Sequence, residues 1–285
     1  MTNHVSHTTT NLSLRYNAIL RIARQQISDT FLGWSFFITA STAVLIAVIL
    51  VYNSNRFVES SGLSIMSRPF FVPLQAAASI AVLYVAIEAT LAVARPREQG
   101  SLQVLFFAPV DVPAFIGANF LARLAIFFIF LIIILLPLLL LVWITNFVVP
   151  AALLWGLIPA VFVAGAGVAF GLFVSAAAPS IRSAILLLLA ALLVLLVVQG
   201  GYAALLNIPP TSRFYDALLF LRVFLLSIQD LLLWISPFQM LDAVLDASLR
   251  VDLIALVKHS GAAILVSIFW LGAAVWALRL KGVLP

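Results

Sequence analysis

Arg95-Pro96-Arg97-Glu98-Gln99-Gly100-Ser101-Leu102-Gln103-Val104-Leu105-Phe106-Phe107-Ala108-Pro109 is the one polar, patterned segment in a chain otherwise built of long apolar runs. Before it, residues 70 to 94 carry a single charge, Glu88; after it, residues 112 to 144 carry a single charge, Arg123. Such neighbours cannot be stable in water, so the segment reads as a short polar handle held outside an apolar phase, where a water-side partner can grip it.

Working outward, 65% of the residues are hydrophobic and 9% charged, against about a quarter charged in soluble domains. A helix needs roughly 20 mostly apolar residues to cross a hydrocarbon core of about 30 Å. Six stretches qualify, near 31–52, 70–94, 112–144, 151–178, 184–206 and 261–278. They are too long and too uniformly apolar for the alternating pattern of a barrel strand. The expected fold is therefore an all-α polytopic membrane protein with six transmembrane helices.

The chain reads as one membrane domain over 1–285. It divides into a tail and interfacial helix (1–30), helices one to five (31–206), a long connection (207–260), and helix six with a short C-terminus (261–285). With no cysteine there is no disulfide or thiolate site. A cleaved secretory signal would place its apolar core nearer the start, so the first helix reads as an uncleaved anchor. Arg15, Arg21, Arg24, Arg95, Arg97, Arg182, Arg279 and Lys281 fall on one side of the six spans, and the short loop near 145–150 on the other side has no basic residue. The positive-inside bias puts both termini and the handle in the cytoplasm. Basic flanks facing anionic lipid account for the net charge of +5 without nucleic acid.

Leu12, Tyr16, Ile19, Leu20, Ala23 and Ile27 share one stripe of a helical wheel, opposite Asn17, Arg21, Arg24 and Gln25. Residues 12–28 are thus expected to lie along the headgroups as an amphipathic helix, with 1–11 disordered. In the long connection, Pro209-Pro210 stops helix five, and residues 214–235 are leucine-rich but carry Asp216, Arg222 and Asp230. A charge at mid-membrane costs about 2.5 to 3.5 kcal/mol, so this stretch is expected to be a re-entrant helical hairpin closed by Ser236-Pro237-Phe238, with a seventh helix buried inside the bundle as the alternative. The alternating charges from Asp242 to Lys258 then suggest a surface helix.

Within the handle, Pro96 disfavours continuation of the preceding span. Glu98 would occupy the first turn of a new helix, where a carboxylate suits the unpaired amides. Leu102, Leu105 and Phe106 give that helix an apolar face, and Pro109 ends it.

Glu98-Gln99-Gly100-Ser101-Leu102, followed by Leu105 and Ala108-Pro109, resembles the cytoplasmic signature of ABC-2 type transporter permeases, with Gln103 where an acid is common and Ala108 where Ser or Thr is common. The layout resembles the family throughout, with a connecting helix, six spans, a cytoplasmic coupling helix between spans two and three, and re-entrant helices between five and six. The resemblance implies a permease subunit of an ATP-binding-cassette exporter in the cell (inner) membrane of a prokaryote. It implies a homo- or heterodimer with a second permease subunit, bound to a cytoplasmic ABC ATPase subunit that holds ATP and Mg. Arg97, Glu98, Gln99, Gly100, Leu102 and Leu105 would then lie in or beside the ATPase groove. A haem-exporter-like membrane subunit for cytochrome maturation is the alternative of the same class, and an ion-driven secondary transporter that of another.

Two further groups stand out. Glu88 and Arg123 sit on successive spans near the handle end and are expected to form an intramembrane ion pair, because an unpaired charge there is costly. Gln199, Gly200, Gly201 and Tyr202 break the apolar run of helix five, either as a gate or as a glycine stop. Small residues around Gly165, Gly167 and Gly171 suit close packing. Against an enzyme, there is no phosphate-binding Gly-x-x-x-x-Gly-Lys-Ser/Thr loop, and His4, His7 and His259 are too scattered for a metal site. The chain is expected to hold no cofactor of its own. The near absence of charge in the spans favours a hydrophobic or lipid-like cargo.

Overall fold

Long apolar runs form long helices, and the computed structural model, which describes residues 4–61, 70–100, 111–145, 150–208 and 215–280, holds ten helices among those residues. In chain order they are α1 (His4–Leu32), α2 (Trp34–Ser61), α3 (Phe71–Glu98), α4 (Val112–Thr145), α5 (Ala151–Trp155), α6 (Leu157–Ala177), α7 (Ile181–Leu206), α8 (Tyr215–Leu232), α9 (Pro237–Leu249) and α10 (Leu253–Leu280). Six spans are long and apolar enough to cross a membrane: 34–54, 71–98, 112–144, 151–177, 181–206 and 253–280.

The most buried span is α6, which packs on α3, α4, α9 and α10. Its small residues make this possible. A methyl group on Gly171 would meet the Ala86 carbonyl oxygen at 2.5 Å, and one on Gly167 would meet Val82 Cγ1 at 3.2 Å. Without a hydrophobic drive between helices in lipid, such close approach is how dispersion holds them together. Phe36, Tyr84 and Phe130 join α2, α3 and α4 through ring contacts of 5.5 to 6.1 Å.

Four expectations are corrected. The N-terminal helix starts at His4, inside the stretch expected to be disordered, and continues to Leu32. Ala23 and Thr30 are buried, and Ile27 packs on the core. Pro96 does not end the second span. It lies inside α3, which continues two residues further to Glu98 although the proline removes the amide that would bond the carbonyl four residues earlier. The last span begins at Leu253 instead of 261. Its early Lys258 and His259 are accommodated at the helix end, where the Lys258 ammonium lies 4.8 Å over the Trp234 ring and His259 stacks on the same ring. Finally, 242–258 is no surface helix. Met240, Leu241, Val244 and Leu245 of α9 are fully buried, and the chain then turns through Val251 at φ 57° into α10. Where the hairpin was expected, α8 and α9 form a pair bent by 78° around Ser236, with Pro237 opening α9, the geometry of a re-entrant loop or of a broken span.

Candidate functional site

The root of the handle is where three helix ends meet. One turn before Pro96, the Ser175 hydroxyl of α6 accepts hydrogen bonds from the amides of Val93 (3.0 Å) and Ala94 (2.9 Å). Arg97 Nη1 donates to the carbonyl oxygens of Ala176 (3.2 Å) and Ala178, which α6 leaves without helical partners at its C-terminus. Glu98 Oε2 accepts the amide of Ile181, the first residue of α7, at 3.1 Å. A cation thus sits on the negative end of α6 and a carboxylate on the positive end of α7, each where the helix dipole favours it. Ser180 and Ser183 complete the N-terminus of α7 as a reciprocal capping box.

This relocates Glu98. The carboxylate does cap a helix start, but the helix is α7, and Glu98 itself closes α3 instead of opening a coupling helix. Arg97 is turned into the protein, whereas Gln99 and Gly100 are exposed. Gly100 N donates to the Arg97 carbonyl, and its φ of 71° lies in the left-handed region that ends many helices with glycine. The expected coupling helix, with Leu102 and Leu105, lies outside the described residues.

Two turns deeper on the same side, Arg123 Nη2 of α4 lies 3.7 Å from Glu88 Oε2 of α3, and Arg123 Nη1 donates to Thr30 Oγ1 of α1 at 3.3 Å. The two ionisable groups expected to meet are therefore brought together, with α1 as a third member. They border a cavity of about 360 Å³ that also touches Gln26, Asp29, Arg95 and Asn119.

At the opposite end, Gln199 of α7 lines an open cleft of about 470 Å³ with Gln75 and Ser79 of α3, Gln229 of α8, and Gln239 and Asp242 of α9. Gln75 Nε2 donates to Asp242 Oδ1 at 2.8 Å. Gly200, Gly201 and Tyr202 lie within continuous helix, which runs on to Leu206, so no glycine stop occurs there.

Ser175, Thr30, Asn119 and the Gln75 to Asp242 contact were not singled out by sequence. Their one signal is a lone polar side chain in an apolar run, which in lipid has to find a partner.

The family model described as ABC-2 type transporter matches residues 16–233. That match covers more than half of the chain, from α1 into the re-entrant hairpin, and the chain belongs to the ABC-2 type transporter family. It is accordingly a multi-pass membrane protein and the membrane component of an ABC-type transporter, a class that works with an ATP-binding subunit. No curated protein matches the chain.

Proposed function

We propose that this chain is the permease subunit of an ATP-driven exporter. It pairs with a second permease, identical or related, and takes its energy from a cytoplasmic ABC ATPase subunit docked on the handle. Both termini and the handle face the cytoplasm of a cell whose membrane the complex spans. The observation that carries this reading is the clamp at the handle root, where Arg97 and Glu98 bind the facing ends of α6 and α7. A push on the handle is thereby delivered to α7, the least buried span. Its far end carries Gln199 at the polar cleft. Gln199 to Tyr202 act as the outer gate in this reading, and Arg97 and Glu98 join the docking surface to the moving span. The cargo is hydrophobic or lipid-like over most of its length, and the amide-lined cleft accepts its polar part on release.

The test is reconstitution of the full chain with its ATP-binding subunit in proteoliposomes. The expected result is vanadate-sensitive, ATP-dependent movement of a lipid-like reporter away from the ATPase side. Co-purification without any ATP-dependent movement of lipid-like or glycan reporters would reject the exporter reading.

A further inference from the structure

We propose that the cavity between α1, α3 and α4 is a binding site for a phosphoamine zwitterion, the chemistry of an ethanolamine phospholipid headgroup. Its rim and walls carry two cations, Arg95 and Arg123, and two carboxylates, Asp29 and Glu88. Balanced charge gives no preference for a lone anion or a lone cation. Separated charges of both signs in one cavity suit a ligand that carries both.

Three buried polar atoms of the lining have no hydrogen-bond partner among the described residues: Arg123 Nε, Asn119 Oδ1 and Gln26 Oε1. Arg123 commits Nη1 to Thr30 and Nη2 to Glu88, which leaves Nε as a free donor. Asn119 commits its Nδ2 to the Phe115 carbonyl, which leaves Oδ1 as a free acceptor. A buried donor or acceptor left unmade is costly, and Arg123 and Asn119 are 7% and 0% exposed. The Arg95 and Arg123 guanidinium groups of the lining match a phosphate, and the Asp29 and Glu88 carboxylates match an ammonium that still has N–H groups. A trimethylammonium has none, so the site distinguishes ethanolamine from choline headgroups.

Depth agrees with this chemistry. The cavity lies where the amphipathic α1 breaks at Gly33 and the first span begins, which is headgroup level for a helix lying along the membrane surface. The inference does not depend on the exporter reading or on the direction of transport.

The experiment is thermal unfolding of the purified full chain in detergent, titrated with short-chain phosphatidylethanolamine, short-chain phosphatidylcholine, or soluble phosphoethanolamine. Phosphatidylethanolamine is expected to raise the midpoint saturably, with choline lipid at least tenfold weaker. An Asp29→Asn/Arg95→Gln double variant, altered only at exposed rim residues, is expected to keep the ligand-free midpoint and lose at least tenfold in apparent affinity. Saturation by soluble phosphoethanolamine at similar concentrations identifies a free zwitterion as sufficient. A response to the lipid alone identifies a membrane headgroup, and both outcomes support the site. Equal response to ethanolamine and choline lipids, or an unchanged titration in the double variant, would overturn it and leave a water-filled cavity.

Discussion

Glu98 Oε2, on the last residue of α3, holds the amide of Ile181, the first residue of α7, at 3.1 Å across 83 positions of sequence. With Arg97 on the last carbonyls of α6, this makes the handle root part of the α6 to α7 turn instead of a free loop between α3 and α4. Glu98→Ala removes one cap of α7 and should weaken its first turn by about 1 kcal/mol. Amide exchange at Ile181 to Ser183 is expected to speed up about fivefold, with exchange in α6 unchanged. Uniform acceleration across the bundle would instead mean that Glu98 supports the whole fold.

Two glycines in neighbouring spans should respond oppositely to alanine. At Gly171 the new methyl group meets the Ala86 carbonyl at 2.5 Å and Ala89 Cβ at 3.0 Å, whereas at Gly200 nothing lies within 4 Å. Gly171→Ala should cost about 1 to 3 kcal/mol through overpacking, and Gly200→Ala should gain up to about 1 kcal/mol in helix preference. Unfolding midpoints in detergent check both signs.

The left-handed residues make a second opposed pair. Gly100 at φ 71° and Val251 at φ 57° occupy the same backbone region, but only glycine does so without strain. Gly100→Ala is expected to cost about 1 kcal/mol and Val251→Gly to stabilise by a similar amount, again read from unfolding midpoints.

Arg123→Ala is expected to destabilise strongly, since it strands Glu88 at a partly buried depth; loss of one partner of a buried pair costs about 3 to 5 kcal/mol. Arg123→Gln combined with Glu88→Gln should recover more than half of that loss. A double-mutant cycle with no coupling energy would show that the 3.7 Å approach contributes nothing.

The spans were legible because a hydrocarbon core admits only long apolar helices, and the six stretches recur within a few residues except at 253–260. The Glu88 to Arg123 pair was legible for a related reason: two charges in successive spans, near the same end, have few other places to go. Glu98 was read correctly as a helix-capping carboxylate but assigned to the wrong helix, since the amide it serves lies at Ile181 and local spacing carries no trace of it. Pro96 misled because a proline costs a helix one amide bond without always ending it, and here α3 runs two residues past it. The burial of α9 was hidden by Asp242, Asp246 and Arg250: Asp246 pairs with Arg250 and Asp242 accepts from the Gln75 amide, while Met240, Leu241, Val244 and Leu245 are buried.

The central claim is that the handle root transmits work to α7. Its most direct test is the ratio of substrate exported to ATP hydrolysed by the reconstituted complex carrying Glu98→Ala. Continued ATP hydrolysis with a several-fold fall in export per ATP is the predicted result. An unchanged ratio in a complex that shows the accelerated exchange at Ile181 would contradict the account.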